Sequence, residues 1–132
     1  APETFDVAGF LTVVLSLTKQ SEVDFPVFDR GNDCVVEQGG KILATDETII
    51  VEGNYLLLDE MPWRDLAKCW DFSVFLDVPL EVLETRLVQR WLDNGYDYDG
   101  AVKRAQGNDI PNAKRTVQKS MKADHVVSLD SL

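Results

Sequence analysis

The sequence predicts an α/β fold: a parallel sheet with flanking helices. Three observations point there. Apolar runs of strand length recur at 48–58, 71–78 and 125–129. Helical patterns with recognisable start and stop signals fill much of the chain between them. Runs that are apolar on both sides, joined through helices, are what a parallel sheet covered on both faces requires.

Residues 5–19 read as a helix. Thr4 can cap it, Asp6 suits the first-turn dipole, and Phe10, Val14 and Leu17 line one face. The segment is apolar around most of its circumference, so it is expected to be well buried, with Gly9 costing about 1 kcal/mol against Ala. Residues 21–44 read as irregular: Phe25-Pro26-Val27-Phe28, a polar stretch Asp29-Arg30-Gly31-Asn32-Asp33, a short strand at 34–36 and a turn at Gly39-Gly40. An irregular stretch of this length is usually functional or mobile.

Residues 48–58 read as a strand apolar on both sides. Pro62 suits the first turn of a short helix reaching Cys69. A second buried strand is expected at 71–78. Pro79 opens a helix to about Asn94, with Glu81 and Glu84 near its start and Gly95 as its stop. A polar, aromatic loop follows at 96–99. A short helix at 101–106 ends at Gly107, and Pro111 starts another to about Ala123. The last strand is expected at 125–129. Residues 1–132 form one domain, and three strands suit the last part of a larger sheet.

Composition narrows the function. The 132 residues are 45% hydrophobic with three Trp, three Tyr and six Phe, enough for a packed core and unlike a disordered chain. No apolar run approaches the ~20 residues of a membrane span, and the acidic start lacks the basic residues of a signal peptide. Cys34 and Cys69 form neither a disulfide framework nor a metal motif, which suits free thiols in a cytoplasmic protein. A net charge of −10 disfavours nucleic acid as a partner. Between Arg86 and Lys122, however, eight Lys/Arg outnumber four Asp, a local +4. That segment is either a solvated helix face or an anion site where arginine forks onto phosphate oxygens. No G-x-x-x-x-G-K-[ST] phosphate loop occurs in the 132 residues.

Several residues are candidates for chemistry. Glu52 is read at the carboxyl end of a buried strand, where ligands of open α/β sheets bind. It either orients a substrate hydroxyl or a Mg²⁺ water shell, or hydrogen-bonds neighbouring amides. Gly53 beside it permits a sharp turn or close approach of a ligand. Arg86 and Arg90 are four apart on one helix and leave the same face. An anion between them would relieve their repulsion; so would Glu81, Glu84 or another acid. The stretch 93–112 that follows, polar and punctuated by Gly, resembles a lid. Asp29 and Arg30 either line a substrate pocket or pair with each other. His125, the only histidine, reads as structural, Tyr96 and Tyr98 as loop packing, and Trp63, Trp70 and Trp91 as core or helix-docking residues.

Taken in order, APETFD at 1–6, PVFDR at 26–30, IIVEGNYLLLD at 49–59, Trp63, FLDVP at 75–79, RLVQR at 86–90 and Pro111-Asn112-Ala113 resemble one family. It is that of the bacterial P-loop kinases known as fructose-transport-system or uridine kinase-like proteins, within the wider group of uridine kinase, pantothenate kinase and phosphoribulokinase. The resemblance spans nearly the whole chain. It implies a P-loop NTPase, nucleoside-kinase-like sheet and ATP-dependent phosphorylation of a hydroxyl on a sugar, nucleoside or pantothenate-like metabolite. The cofactors are ATP and Mg²⁺. In that family the phosphate loop and general base lie upstream of the segment resembling APETFD. The chain is therefore expected to be the C-terminal portion of such a kinase, inactive alone. The resemblance assigns Glu52, Asp29 and Arg90 to catalysis, and Arg86, Arg90 and Asn112 to ATP. It assigns Asp29, Arg30, Glu52 and Asn54 to the acceptor and Glu52, through water, to the metal. The alternative is a non-catalytic half-domain acting through association, as a homodimer or with another chain.

Overall fold

A computed structural model describes residues 1–128 of the chain. It divides into two compact units, Asp6–Gly53 and a second made of Ala1–Phe5 with the chain from Asn54 onward.

The Asp6–Gly53 unit begins with helix α1, Val7–Leu17. The expected cap at Thr4 is not the one formed. Asp6 caps instead, its carboxylate accepting from Gly9 N–H at 2.9 Å, while the Thr4 hydroxyl donates to the Ala1 carbonyl. The cap also explains the helical glycine, because a Cβ on Gly9 would run into the Asp6 carboxylate. Val7 and Val14 are the buried residues of α1, so the all-round burial expected of it is not found.

The stretch read as irregular is a β-hairpin. Strand β1, Val23–Asp29, pairs antiparallel with β2, Cys34–Ile42, through Val23↔Ile42, Phe25↔Gly40, Val27↔Val36 and Asp29↔Cys34. The pairing slips between Phe25 and Val27. Pro26, which has no N–H to donate, falls in that slip, where a strand tolerates proline.

The run 48–58 forms no strand: none of its residues joins a ladder, and only Leu58 makes an isolated bridge, with Ser120. An apolar extended segment becomes a strand only when a neighbour takes its main-chain hydrogen bonds. None does so among the described residues, and Ile50 is 90% exposed.

The second unit opens with a 3₁₀ turn at Pro2–Thr4. Residues 54–60 lie against the end of a later helix through Asp59 N–H to the Lys119 carbonyl at 2.8 Å and Met121 N–H to the Leu57 carbonyl at 2.7 Å. Leu58, between those bonds, is wholly excluded from solvent, as is Leu66 in the 3₁₀ helix Trp63–Cys69. Phe5, Tyr55 and Trp63 form an edge-on aromatic cluster with centroids 5.5–6.0 Å apart.

Strand β3, Val74–Asp77, pairs in parallel with β4, His125–Ser128, through Val74↔His125 and Leu76↔Val127. The Asp124 carboxylate accepts from Ser73 N–H at 2.8 Å and Ser73 Oγ at 2.7 Å, fixing this register. Two of the three expected parallel strands therefore form. Leu129, expected to end the last strand, lies outside the described residues. Nor is β3 buried as expected: Val74 is 48% and Leu76 63% exposed.

Helix α2, Leu80–Asp93, starts after Pro79 and stops where predicted, at Gly95 with φ +88°. Helix α3 spans Tyr98–Arg104 and widens at Ala105–Asp109 into a π-helical turn that runs into α4, Ile110–Lys119. The expected break at Gly107 is thus replaced by near-continuous helix. Ala101, Ala105 and Ile110 bury one face of it, and burial outweighs the local cost of one glycine. No helix among the described residues is long and apolar enough to cross a membrane.

Candidate functional site

Arg86 and Arg90 leave α2 one turn apart, and both are exposed. Of the two ways their repulsion could be relieved, offset by Glu81 or Glu84 is not found among the described residues. Glu84 is engaged by Lys114 at 3.3 Å, and neither arginine makes a salt bridge among the described residues. Asn94 caps this end of the helix, its backbone and side-chain N–H groups both donating to the Arg90 carbonyl. Two guanidinia on one helix face, without a salt bridge among the described residues, can donate to phosphate oxygens.

Next along α2, Trp91 donates its indole N–H to Asp109 Oδ2 at 2.6 Å and meets Tyr96 edge-on at 5.2 Å. The Arg104 guanidinium lies over both rings, 5.5 Å from each centroid. Trp91 and Tyr96 thus pack α3 and the π-turn onto α2, as the readings of helix docking and loop packing required. Tyr98 is 67% exposed.

Asn112, expected near the nucleotide, donates its amide to the Asn108 carbonyl at 2.8 Å and to Asn108 Oδ1 at 3.1 Å. That commits its donor group to holding the π-turn. Asn54 is exposed at the start of the turn leading to Leu58.

In the Asp6–Gly53 unit, Asp29 does not pair with Arg30. Its Oδ1 accepts from Gly31 N–H at 2.8 Å and Asn32 N–H at 3.2 Å, and its Oδ2 from the Asn32 amide at 2.7 Å. These bonds, the Asn32 amide foremost, hold the carboxyl below its ordinary value. Asp29 therefore closes the hairpin turn, in which Asp33 takes φ 52°, a conformation Asp tolerates better than most. Arg30 is exposed at the tip. Glu52, expected at a strand end, lies exposed in extended chain with no side-chain bond among the described residues.

The sequence reading missed the strongest electrostatic cluster. Arg115 on α4 donates to Glu60 through Nε and Nη2 and to Glu3 through Nη1 at 2.5 Å, and Lys119 reaches Glu60 at 2.9 Å. The Arg115 and Lys119 bonds draw the Glu60 carboxyl from 4.5 to about 2, and Glu60, then Glu3, raise Arg115 above its ordinary range. Beside it, burial foremost and then the Glu3 charge push the Tyr55 phenol up. The cluster saturates its own charges and reads as a structural tie. No local motif signals a contact between residues 3 and 115. Among the described residues, no group of three or more His, Cys, Asp or Glu is placed to hold a metal ion.

The sequence model of the Phosphoribulokinase / Uridine kinase family matches residues 1–129. The chain is 36% identical over 129 residues to the uncharacterized protein YggC of Escherichia coli K12, covering 98% of this chain and 53% of that one. It is 33% identical over 134 residues to a Schizosaccharomyces pombe protein named "Putative uridine kinase C227.14", covering 94% and 54%. Among solved structures, the "putative fructose transport system kinase" of Silicibacter sp. TM1040 superposes with a TM-score of 0.88 at 46% identity, over 96% of this chain and 62% of that one. The chain thus spans about half the length of the curated relatives it matches.

Proposed function

The chain belongs to the phosphoribulokinase/uridine kinase family of P-loop kinases, and from that premise we propose that it carries phosphate- and acceptor-facing residues of an ATP-dependent kinase. The reaction is transfer of a phosphoryl group to a hydroxyl of a small metabolite, a sugar, a nucleoside or a pantothenate-like molecule, in the cytoplasm. The observation that carries this reading is the Arg86–Arg90 pair, two exposed cations without a salt-bridge partner among the described residues, in a chain of net charge −10.

ATP fits that pair, because planar guanidinia match phosphate oxygens in charge and geometry. The donor set fits Mg²⁺ only as a water-clad ion: Glu52 stands without a partner, and no cluster of ligands accompanies it among the described residues. When bound, MgATP supplies the γ-phosphoryl group and neutralises part of its charge. Arg86 and Arg90 hold phosphate oxygens and stabilise the charge that spreads over them as the group transfers. Glu52 orients the acceptor hydroxyl or a metal-bound water. Asp29 acts by fixing the hairpin turn that presents Arg30 to the acceptor, and Asn54 offers an amide to the acceptor's hydroxyls. Asn112 keeps the π-turn seated on the helices beside the arginines.

The test is Arg90→Ala in the full-length protein as its natural source makes it. Turnover should fall tenfold or more, with the folding midpoint unchanged. Equal turnover would remove the arginine's role.

A second reading, action through association with itself or another chain, is favoured by β3 and β4. Val74, Leu76 and Val126 on this two-stranded sheet are 48%, 63% and 49% exposed. A strictly monomeric, well-folded species in light scattering would sink it.

A further inference from the structure

We propose that Asn94 modifies itself: its side chain cyclises onto the Gly95 nitrogen, loses ammonia and becomes a carboxylate one helical turn from Arg90. The chemical step needs only the chain and water. Its consequence for phosphate rests on the kinase reading above.

Of the asparagines in the chain, Asn94 alone is followed by glycine; the others precede Asp33, Tyr55, Asp109 and Ala113. The step begins when the Gly95 main-chain nitrogen gives its proton to water and attacks Asn94 Cγ. A bond forms from that nitrogen to Cγ, the Cγ–Nδ2 bond breaks, and Nδ2 leaves as ammonia. Water then opens the cyclic imide at Cγ, leaving an aspartate at position 94, or at the main-chain carbonyl, leaving the iso form with the chain running through Cβ. Water is taken up and ammonia released, and nothing is oxidised or reduced. Glycine suits the attacking position because no side chain shields its nitrogen or limits its backbone. At Gly95 the space beside the backbone is open: a Cβ placed there would meet nothing within 4 Å.

The fold sets this pair at an exposed helix end. Asn94 is the C-cap of α2, and both residues are exposed. Gly95 N–H donates to the Leu92 carbonyl at 2.9 Å, and the Asn94 amide donates to the Arg90 carbonyl at 2.7 Å. Those bonds occupy both reacting groups while the turn is closed. They belong to the same last turn, so one fraying event frees both, and exposed helix ends open at small cost. The Tyr96 N–H bond to the Trp91 carbonyl at 3.2 Å and the edge-on contact of their rings oppose that opening. The step is therefore slower than in an unfolded chain.

The product changes the charge of the arginine face. Positions 86, 90 and 94 follow at four-residue spacing, which brings a carboxylate at 94 within reach of Arg90. It supplies the acid that Arg90 lacks among the described residues. It also removes the amide that donates to the Arg90 carbonyl. An arginine paired in this way is less available to phosphate oxygens.

The experiment is peptide mapping by mass spectrometry of the full-length protein as its source makes it, held in mildly alkaline buffer at body temperature, folded and in urea. The expected result is that the peptide containing Asn94 converts to its aspartate and iso forms before any other asparagine peptide of the folded protein. If another asparagine converts first, or Asn94 is intact once the urea-unfolded sample has converted fully, the proposal is overturned. Calorimetric titration of MgATP into Asn94→Asp, Arg90→Ala and the double variant reads the consequence. Asn94→Asp should lower affinity about threefold, the scale of an exposed ion pair, and should add nothing in the Arg90→Ala background. If Arg90→Ala weakens MgATP and Asn94→Asp does not, the coupling to Arg90 is refuted and the kinase reading stands. If neither weakens it, the phosphate reading of this face fails and takes the consequence with it, while the peptide map still decides the chemical step.

Discussion

Replacing Leu58 by alanine probes how residues 54–60 are seated on the end of α4. The side chain is wholly excluded from solvent, and main-chain bonds from Asp59 and Met121 flank it at 2.8 and 2.7 Å. The substitution deletes three carbon atoms. At about 0.8 kcal/mol for each, the lost transfer energy is roughly 2.4 kcal/mol. The flanking bonds oppose collapse of the space left behind, so a cavity penalty adds to it, and comparable replacements cost about 2–5 kcal/mol. A loss of about 3 kcal/mol is expected. For a unit of this size each kcal/mol moves the thermal midpoint by about 4 °C or more, giving a drop of roughly 12 °C. Scanning calorimetry reads it directly. Val117→Ala, on the same helix but 47% exposed, is the comparison and should change stability by no more than about 0.5 kcal/mol. A Leu58→Ala midpoint within about 3 °C of wild type would refute the seating described.

Glu60 makes stability depend on acid. Its carboxyl lies at about 2 in the folded chain against 4.5 ordinarily, so its contribution is complete above pH 4.5 and is lost as pH falls through about 2. Glu60→Gln should flatten the decline of the urea midpoint across that window; parallel pH profiles for variant and wild type would contradict the assignment. Asn32→Ala removes the foremost bond that lowers Asp29, so the Asp29 carboxyl should titrate closer to its ordinary 3.8 in a carbon-detected NMR titration, and an unmoved midpoint would mean the turn amides alone hold it.

Elements specified by their own residues were legible. Helix α2 needed only Pro79 before it, an apolar face along it and Gly95 after it, and all three signals are local. The β3 and β4 runs were found for the same reason. The hairpin was hidden by Pro26, which argues against a strand unless a slip in the pairing accommodates it, and the slip depends on the partner strand. The opposite error at 48–58 shares that cause: a run apolar on both sides was read as a strand, but a strand exists only with a neighbour. Gly107 misled because the burial of Ala105 and Ile110 carries the helix through it. At the site, the shared face of Arg86 and Arg90 followed from their spacing alone. Whether acids would neutralise them did not, since that turned on Lys114 reaching Glu84 from another helix. The place of Arg104 against Trp91 and Tyr96 likewise depends on residues that only the fold brings together.

Phe5 and Tyr55 touch edge-on at 5.8 Å, although 49 residues separate them along the chain. The polypeptide thus leaves its larger unit and re-enters it at one doorway, propped by Trp63 and barred by the Glu3–Arg115 bond. Everything between is, topologically, a single insert whose ends are already closed. Such an insert can be lengthened, trimmed or exchanged for another at little cost in loop closure to the frame it hangs from. The β1–β2 hairpin therefore sits on the part of the chain most open to being exchanged, while the helix that carries Arg86 and Arg90 stays where it is.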